Sequence, residues 1–176
     1  ENLGIIGMGS IGQDVAKRAI PFGLNIKYHN RNRLSKNIES SLNGEWMSLE
    51  GLLKSCRYIL ILCPLTKETK HLITIKEFES MKKDSFLINI ARGPIVKESD
   101  LIIALENKFI SGCALDVYEF EPSYDKKLAN MDNVVLAPHA GSASFKARTG
   151  MVELAAKNIE NFFIEKKVLN PVNTIN

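Results

Sequence analysis

Short apolar runs alternate with amphipathic stretches along most of the chain. Six apolar runs predict strands at Leu3–Ile6, Asn25–His29, Tyr58–Cys63, Phe86–Ile90, Gly112–Asp116 and Val134–Ala137. Helices are predicted at Ile11–Phe22, Leu49–Ser55, Ile75–Met81, Lys97–Asn107 and Phe145–Lys166, and a polar surface loop at Tyr118–Asn130. Continuous apolarity is typical of strands with helices on both faces, and the alternation is typical of parallel β-α-β units. The pattern predicts a doubly wound parallel α/β sheet of the Rossmann type, with about six or seven strands.

A glycine-rich turn, G-M-G-S-I-G at residues 7–12, joins the first predicted strand directly to the first predicted helix. In the G-x-G-x-x-G pattern the first Gly allows a tight turn, the second lets backbone N–H groups approach a pyrophosphate, and the third lets helix and strand pack closely. The helix dipole then favours phosphate at the N-terminus. We therefore predict a dinucleotide site at Gly7, Gly9, Ser10, Ile11 and Gly12. The alternative is a strand-to-helix connection without a ligand.

The end of the second predicted strand bears on which dinucleotide fits. In an NAD site of this kind an Asp or Glu bonds the ribose 2′-OH, whereas an Arg accommodates a 2′-phosphate. Here residues 28–33 are Y-H-N-R-N-R, so Asn30 holds the acid position and is followed by Arg31 and Arg33. Because guanidinium groups bind phosphate as bidentate forks, the sequence favours NADP(H). The alternative is NAD(H), with both arginines as solvated loop residues.

Reactive side chains follow three further predicted strands. Arg92 lies just beyond the fourth strand, and Asp116 ends the fifth, with Glu121 five residues later. His139 follows the sixth. Open α/β sheets bind ligands at the carboxyl ends of their strands, so we expect these side chains at one rim. Each of these residues alone could equally be a surface charge or a loop residue. Their occurrence together at one rim favours a catalytic site.

Composition narrows the classes of function. With 176 residues, of which 45% are hydrophobic and 24% charged, the chain can form one domain with a substantial core. Its net charge of +3 is spread along the chain, which argues against nucleic-acid binding. Cys56, Cys63 and Cys113 lack C-x-x-C or metal-ligand spacing, so we expect buried thiols in a reducing compartment and no metal site. No stretch has the length of a membrane span, so we expect a cytoplasmic protein without membrane contact.

Several motifs are similar, in combination, to those of one family. They are the glycine turn, C-P-L-T at residues 63–66 with Thr69 and H-L-I at 71–73, N-I-A-R-G at 89–93, L-D-V-Y at 115–118 with E-P at 121–122, P-H-A-G-S at 138–142 and N-P-V at 170–172. Over essentially its whole length, residues 1–176, the chain resembles the nucleotide-binding domain of the D-isomer-specific 2-hydroxyacid dehydrogenases. Within that family it looks most similar to the glyoxylate and hydroxypyruvate reductases, with the glycerate and phosphoglycerate dehydrogenases as the other close group.

The resemblance implies a role for each candidate at the strand ends. Arg92 would hold the carboxylate and carbonyl oxygen of a 2-oxo acid. His139 would be the general acid and base at the carbonyl oxygen, and Glu121 would orient it and favour its protonated form. Asp116 would contact the nicotinamide carboxamide, and Pro64 would lie beside the adenosine and ribose. The implied activity is hydride transfer between NAD(P)H and a small 2-oxo or 2-hydroxy acid.

The resemblance also implies a domain organisation. It predicts a Rossmann core at about 1–142, a C-terminal helix at about 145–166, and a tail that returns to a substrate-binding domain. The sequence contains none of the N-terminal part of that second domain, so we expect either part of a longer enzyme or a short relative. Family members usually dimerise through this domain, which predicts a homodimer. The alternative function is a non-catalytic dinucleotide-sensing module, comparable to the corepressors that resemble this family.

Overall fold

Seven parallel strands form one sheet in the computed structural model, which describes residues 1–172. The strands are β1 (Asn2–Ile6), β2 (Asn25–His29), β3 (Gly44–Trp46), β4 (Tyr58–Ile61), β5 (Phe86–Asn89), β6 (Gly112–Leu115) and β7 (Val134–Leu136). Their order is β3-β2-β1-β4-β5-β6-β7, so the chain runs outward from β1 in one direction and then returns to run outward from β4 in the other. This reversal is the doubly wound arrangement predicted from the sequence.

Helices connect the strands, as parallel pairing requires. They are α1 (Ser10–Ala19), α2 (Lys36–Ser41), α3 (Leu49–Ser55), α4 (Ile75–Ser80), α5 (Glu98–Glu106), α6 (Lys126–Ala129) and α7 (Phe145–Glu160). Single 3₁₀ turns lie at Ile20–Phe22 and Gly93–Ile95, and α7 continues into a π-helical turn at Asn161–Glu165.

Two clusters of buried apolar side chains cover the two faces of the sheet. The neighbours Ile5 and Ile6 on β1 belong to different clusters, because successive side chains of a strand point to opposite faces. Tyr28 is fully buried in one cluster and Phe78 in the other. All three cysteines are buried free thiols, as predicted, and burial raises the pKa of the Cys113 thiol to about 12.

The six predicted strands are confirmed, each within two residues of its predicted ends. The seventh, β3, is a three-residue edge strand without an apolar run, and the preceding α2 is short and polar, so neither has a clear sequence pattern. The predicted loop at Tyr118–Asn130 is wrong in part, because α6 forms a helical turn there. Asp125 caps α6 by accepting a hydrogen bond from the Lys127 N–H (2.9 Å), and Leu128 is fully buried.

The chain divides into two compact units. The first, Glu1–Pro138, contains the whole sheet and helices α1–α6. The second begins at His139 and contains α7, none of whose side chains is buried. Among the residues that the structure describes, no helix combines the length and apolarity needed to cross a membrane.

Candidate active site at the carboxyl edge of the sheet

The carboxyl ends of the strands share one edge of the sheet, because every strand pair is parallel. The predicted site residues follow these ends in chain order: the glycine turn after β1, Asn30 after β2, Pro64 after β4, Arg92 after β5, Asp116 after β6 and His139 after β7. The fold therefore places the candidates of the first unit at the edge where open α/β sheets bind ligands.

Each glycine of the turn after β1 has a different surrounding. Gly7 has φ of 103°, and a Cβ there would lie 2.4 Å from the backbone N of Cys63. A Cβ on Gly12 would lie 2.6 Å from the Gly7 carbonyl oxygen, so helix α1 approaches the turn too closely for a side chain. A Cβ on Gly9 would meet nothing within 4 Å. Two glycines are thus required by the protein's own packing, whereas Gly9 faces open space.

The start of α1 fits a dinucleotide pyrophosphate. Gln13 makes the first helical hydrogen bond, from its N–H to the Gly9 carbonyl (2.9 Å), so the N–H groups of Ser10, Ile11 and Gly12 precede the helical ladder. Gly9 supplies no capping side chain, and the first turn carries no acid. Backbone donors, a positive dipole end and open space at Gly9 are what an anion at a helix N-terminus requires.

Asn30 supports the glycine turn from the end of β2. Its side-chain oxygen accepts a hydrogen bond from the Met8 N–H (2.7 Å), which joins the two strand ends. Its backbone carbonyl accepts from Nε1 of Trp46 on β3 (3.1 Å). The residue at the predicted acid position is therefore held between the glycine turn and the edge of the sheet.

The two arginines after β2 have different surroundings. Arg33 donates from Nε and Nη2 to the two carboxylate oxygens of Glu39, at 2.7 and 2.8 Å. Arg31 is exposed and forms no ion pair with the residues that the structure describes. The predicted interaction of both with a 2′-phosphate stays a prediction, and Glu39 is a partner that the sequence interpretation missed.

A cleft of about 570 Å³ connects three strand ends. It is lined by Ile11 from the start of α1, by Pro64 and its neighbours after β4, and by Arg92 and its neighbours after β5. Candidate cofactor-binding and catalytic residues thus share one cleft of the first unit, with an apolar wall and a guanidinium group.

Asn89 fixes the backbone around Arg92 and is a second residue that the sequence interpretation missed. It is 1% exposed; its Nδ2 donates to the Arg92 carbonyl (3.0 Å), and its Oδ1 accepts from the Ala91 N–H (3.1 Å). The exposed Arg92 side chain donates from Nη1 to the Ala91 carbonyl (2.7 Å). The signal for Asn89 is one amide within the otherwise apolar strand F-L-I-N, where a buried amide must find partners.

The segment after β6 carries Asp116 and Glu121. The Asp116 N–H donates to the Asn89 carbonyl (3.0 Å), and Glu121 accepts from the Tyr118 N–H through Oε1 (2.9 Å). A Cβ on Gly93 would lie 1.8 Å from the Tyr118 carbonyl oxygen, so the turn after β5 directly contacts this segment. The backbone that bears Arg92 and the backbone that bears Glu121 are packed together.

Two further acids anchor the same segment. Glu119 accepts from the Glu98 N–H (2.8 Å), Glu98 accepts from the Glu119 N–H (3.2 Å), and Glu98 also accepts from the Asp125 N–H (3.0 Å). His71 lies 2.6 Å from a Glu119 oxygen through Nε2. Glu119 and Glu98 are therefore structural acids, which leaves the exposed Glu121 as the candidate for chemistry on this segment.

His139 is the first residue of the second unit and lies three residues after the end of β7. Its φ of 52° places it in the left-handed region, which non-glycine residues seldom adopt. Just before it, the Ala137 carbonyl accepts from the Tyr118 hydroxyl (2.7 Å), which ties the end of β7 to the segment after β6. Its predicted acid and base role, and that of its predicted partner Glu121, stay predictions.

Residues 1–141 match the model of the D-isomer specific 2-hydroxyacid dehydrogenase, NAD binding domain. Among curated relatives, a glyoxylate reductase of Pyrococcus horikoshii is 49% identical over 162 residues, which cover 92% of this chain and 48% of the relative. The chain spans about half the length of the curated relatives it matches.

Two similar solved structures contain different dinucleotides. The NADPH-dependent glyoxylate/hydroxypyruvate reductase of Sinorhizobium meliloti, in complex with NADP and malonate, matches with a TM-score of 0.90 at 32% identity, covering 97% of this chain and 52% of that one. D-lactate dehydrogenase with NAD⁺ from Lactobacillus jensenii matches with a TM-score of 0.89 at 29% identity, covering 99% and 56%.

Proposed function

This chain belongs to the D-isomer-specific 2-hydroxyacid dehydrogenase family, and on that premise we propose that the protein transfers a hydride between NADPH and a small 2-oxo acid of the glyoxylate or hydroxypyruvate type. The observation that carries the proposal is the cleft shared by Ile11, Pro64 and Arg92. The cleft brings the start of α1 and the Arg92 guanidinium side by side, which supports hydride transfer from a bound dinucleotide to a 2-oxo acid. The similar glyoxylate reductases support the same substrate class.

Substrate binding is proposed for Arg92. Its planar fork suits the carboxylate and the adjacent carbonyl oxygen of a 2-oxo acid. Asn89 holds the Arg92 backbone from the end of β5, so the guanidinium starts from a fixed point beside the cleft. When bound, the reduced nicotinamide supplies the hydride that C2 of the substrate accepts.

Proton transfer is proposed for His139, with Glu121 as its partner, on the match of both residues to the family's motifs. His139 gives a proton to the carbonyl oxygen as C2 is reduced, and removes it in the reverse direction. A carboxylate in the role of Glu121 fixes the imidazole tautomer and favours the protonated form. Asp116 is proposed to orient the nicotinamide by accepting from its carboxamide.

We propose NADP(H) as the preferred cofactor, because Asn30 replaces the ribose-binding acid and Arg31 offers an exposed guanidinium beside it. The preference is tested by titrating NADPH and NADH into the wild type and into Arg31→Ala. We expect the wild type to bind NADPH more tightly, and Arg31→Ala to weaken NADPH about tenfold with NADH unchanged. Equal dissociation constants for the two cofactors in the wild type would refute the preference.

We also propose a homodimeric, cytoplasmic protein, as the resemblance implies. The three free buried thiols support a reducing compartment.

The activity is tested by following NADPH oxidation in the presence of glyoxylate and then hydroxypyruvate. We expect oxidation that depends on the 2-oxo acid and saturates with it. Tight NADPH binding without oxidation by any 2-oxo acid would instead support the non-catalytic sensing module. Equilibrium titration of NADPH on the same preparation separates that outcome from a loss of cofactor binding.

A further inference from the structure

The turn after β2 contains a closed hydrogen-bond network. Glu39, on α2, accepts from both Nε and Nη2 of Arg33 and also from the Tyr28 hydroxyl (2.5 Å). The same hydroxyl accepts from the Leu34 N–H (2.9 Å). The network therefore joins β2, the turn and α2, and it engages one whole edge of the Arg33 guanidinium.

Burial differs sharply within this network. Tyr28 is fully buried and Glu39 is 8% exposed, whereas the Arg33 side chain is 62% exposed. The hydrogen bonds from Arg33 and Tyr28 hold the pKa of the Glu39 carboxyl at about 2, so it is ionised at neutral pH. Arg33 and Glu39 together thus carry no net charge.

Arg31 differs from Arg33 in this respect. It is exposed on the same turn and has no ion-pair partner among residues 1–172. The pKa of the Glu68 carboxyl is lowered by its hydrogen bond from Thr66 and also by the charge of Arg31, but Arg31 forms no ion pair with Glu68. The charge of Arg31 is therefore less neutralised than that of Arg33, at the position where the family's fold presents the ribose of the cofactor. Two arginines of similar appearance in the sequence therefore differ in the charge that they can offer to a phosphate.

We propose that Glu39 sets the strength of the cofactor preference by neutralising Arg33, so that Arg31 alone discriminates the 2′-phosphate. This inference rests on the proposed dinucleotide site. For Arg33 to bind phosphate with its engaged edge, it would have to leave a buried, ionised carboxylate without its partner, which is costly. Its outer edge stays accessible, but it presents a neutral pair, to which a phosphate dianion is only weakly attracted.

In the alternative arrangement, Glu39 orients Arg33 so that the outer edge of the guanidinium points at the phosphate. The two arrangements predict opposite changes in the preference for NADPH when Glu39 is replaced. If Glu39 neutralises Arg33, Glu39→Gln strengthens the preference; if Glu39 orients Arg33, the same substitution weakens it. The double variant Arg33→Ala with Glu39→Gln removes both charges, so it leaves the preference unchanged in the first case and reduces it in the second.

The test measures dissociation constants of NADPH and NADH by calorimetric titration of the full-length protein and its variants. Glu39→Gln should raise the ratio of the NADH to the NADPH dissociation constant about fivefold, the size expected for one exposed charge at close range, and the gain should shrink with added salt. The double variant Arg33→Ala with Glu39→Gln should leave the ratio within about twofold of the wild type, because the pair that it removes carries no net charge. Glu50→Gln is the matched control, because it removes an acid from the exposed pair with Lys54 on α3 and should not change the ratio.

A ratio that falls or stays constant in Glu39→Gln, or that falls in the double variant, overturns the inference. If Glu39→Gln alone does not fold, the double variant decides, because it leaves neither charge of the pair without its partner. Failure of the wild type to bind either cofactor would overturn the dinucleotide site itself and the inference with it. Binding of both cofactors with the wrong response to the variants overturns only the role of Glu39.

Discussion

The three glycines of the turn after β1 are of two kinds: two are required by the protein's own packing, and one is not. Gly7 and Gly12 are required by contacts of the protein with itself, since a Cβ at either would lie under 3 Å from backbone atoms. Gly9 has no such contact. We propose that the open space at Gly9 admits the cofactor's pyrophosphate.

Gly9→Ala should leave the free energy of unfolding within about 0.5 kcal/mol of the wild type but weaken NADPH binding about tenfold or more. Gly7→Ala should cost about 3 kcal/mol or more, because it combines a positive φ with a backbone clash. Urea unfolding and NADPH titration measure the two quantities. Gly150→Ala on α7 is the control, since a Cβ there also meets nothing within 4 Å. Unchanged NADPH affinity in Gly9→Ala would contradict the proposed site.

The position of a site residue was predictable from the sequence where a motif places it at the end of a strand. Its hydrogen-bond partners were not predictable where they depend on how the chain folds. Arg92 and Asp116 lie at strand ends as predicted, because apolar runs locate the strands and parallel pairing aligns their ends. The bond between Arg33 and Glu39 depends on how the turn folds back onto α2, and the one between Asn89 and Arg92 depends on the local turn after β5. Neither interaction has a sequence period that indicates it.

Helices and strands also differ in how well the sequence predicted them. Strands buried on both faces carry continuous apolar runs and were predicted closely, whereas β3 and α2 are short, polar and at the edge of the sheet. These weakly patterned elements nevertheless hold the end of β2 in place, through Trp46 on β3 and Glu39 on α2. Their stability therefore depends on these polar contacts and on the packing of Ile38, Leu42 and Trp46 against the core more than on propensity.

The contact between α2 and the β2 turn should depend on pH. The folded-state pKa of Glu39 is about 2, below the ordinary value of 4.5, so its ionisation stabilises the fold above pH 4.5 and this contribution is lost as the pH falls toward 2. Glu39→Gln should be less stable than the wild type at pH 7, and the difference should shrink over that range. Urea midpoints at stepped pH measure it, with the exposed Glu153→Gln as control. A difference that is constant with pH would contradict the ionised pair.

At the scale of the whole molecule, the parallel sheet gathers dispersed motifs into one edge. Residues 1–141 match a nucleotide-binding domain, and the cleft in the first unit joins the glycine turn to Arg92. The order of strands, not the distance along the sequence, brings Ile11 and Arg92 to the same cleft. We propose that a dinucleotide and a 2-oxo acid meet in this cleft.

The most direct measurement is kcat/KM for glyoxylate with NADPH in the wild type and Arg92→Lys. Lysine keeps the positive charge but loses the bidentate geometry of the guanidinium. We therefore expect kcat/KM to fall about thirtyfold, which corresponds to about 2 kcal/mol in transition-state free energy, with the NADPH dissociation constant unchanged. Arg18→Lys, exposed on α1, is the matched control. An unchanged kcat/KM in Arg92→Lys would show that the substrate does not bind at this cleft.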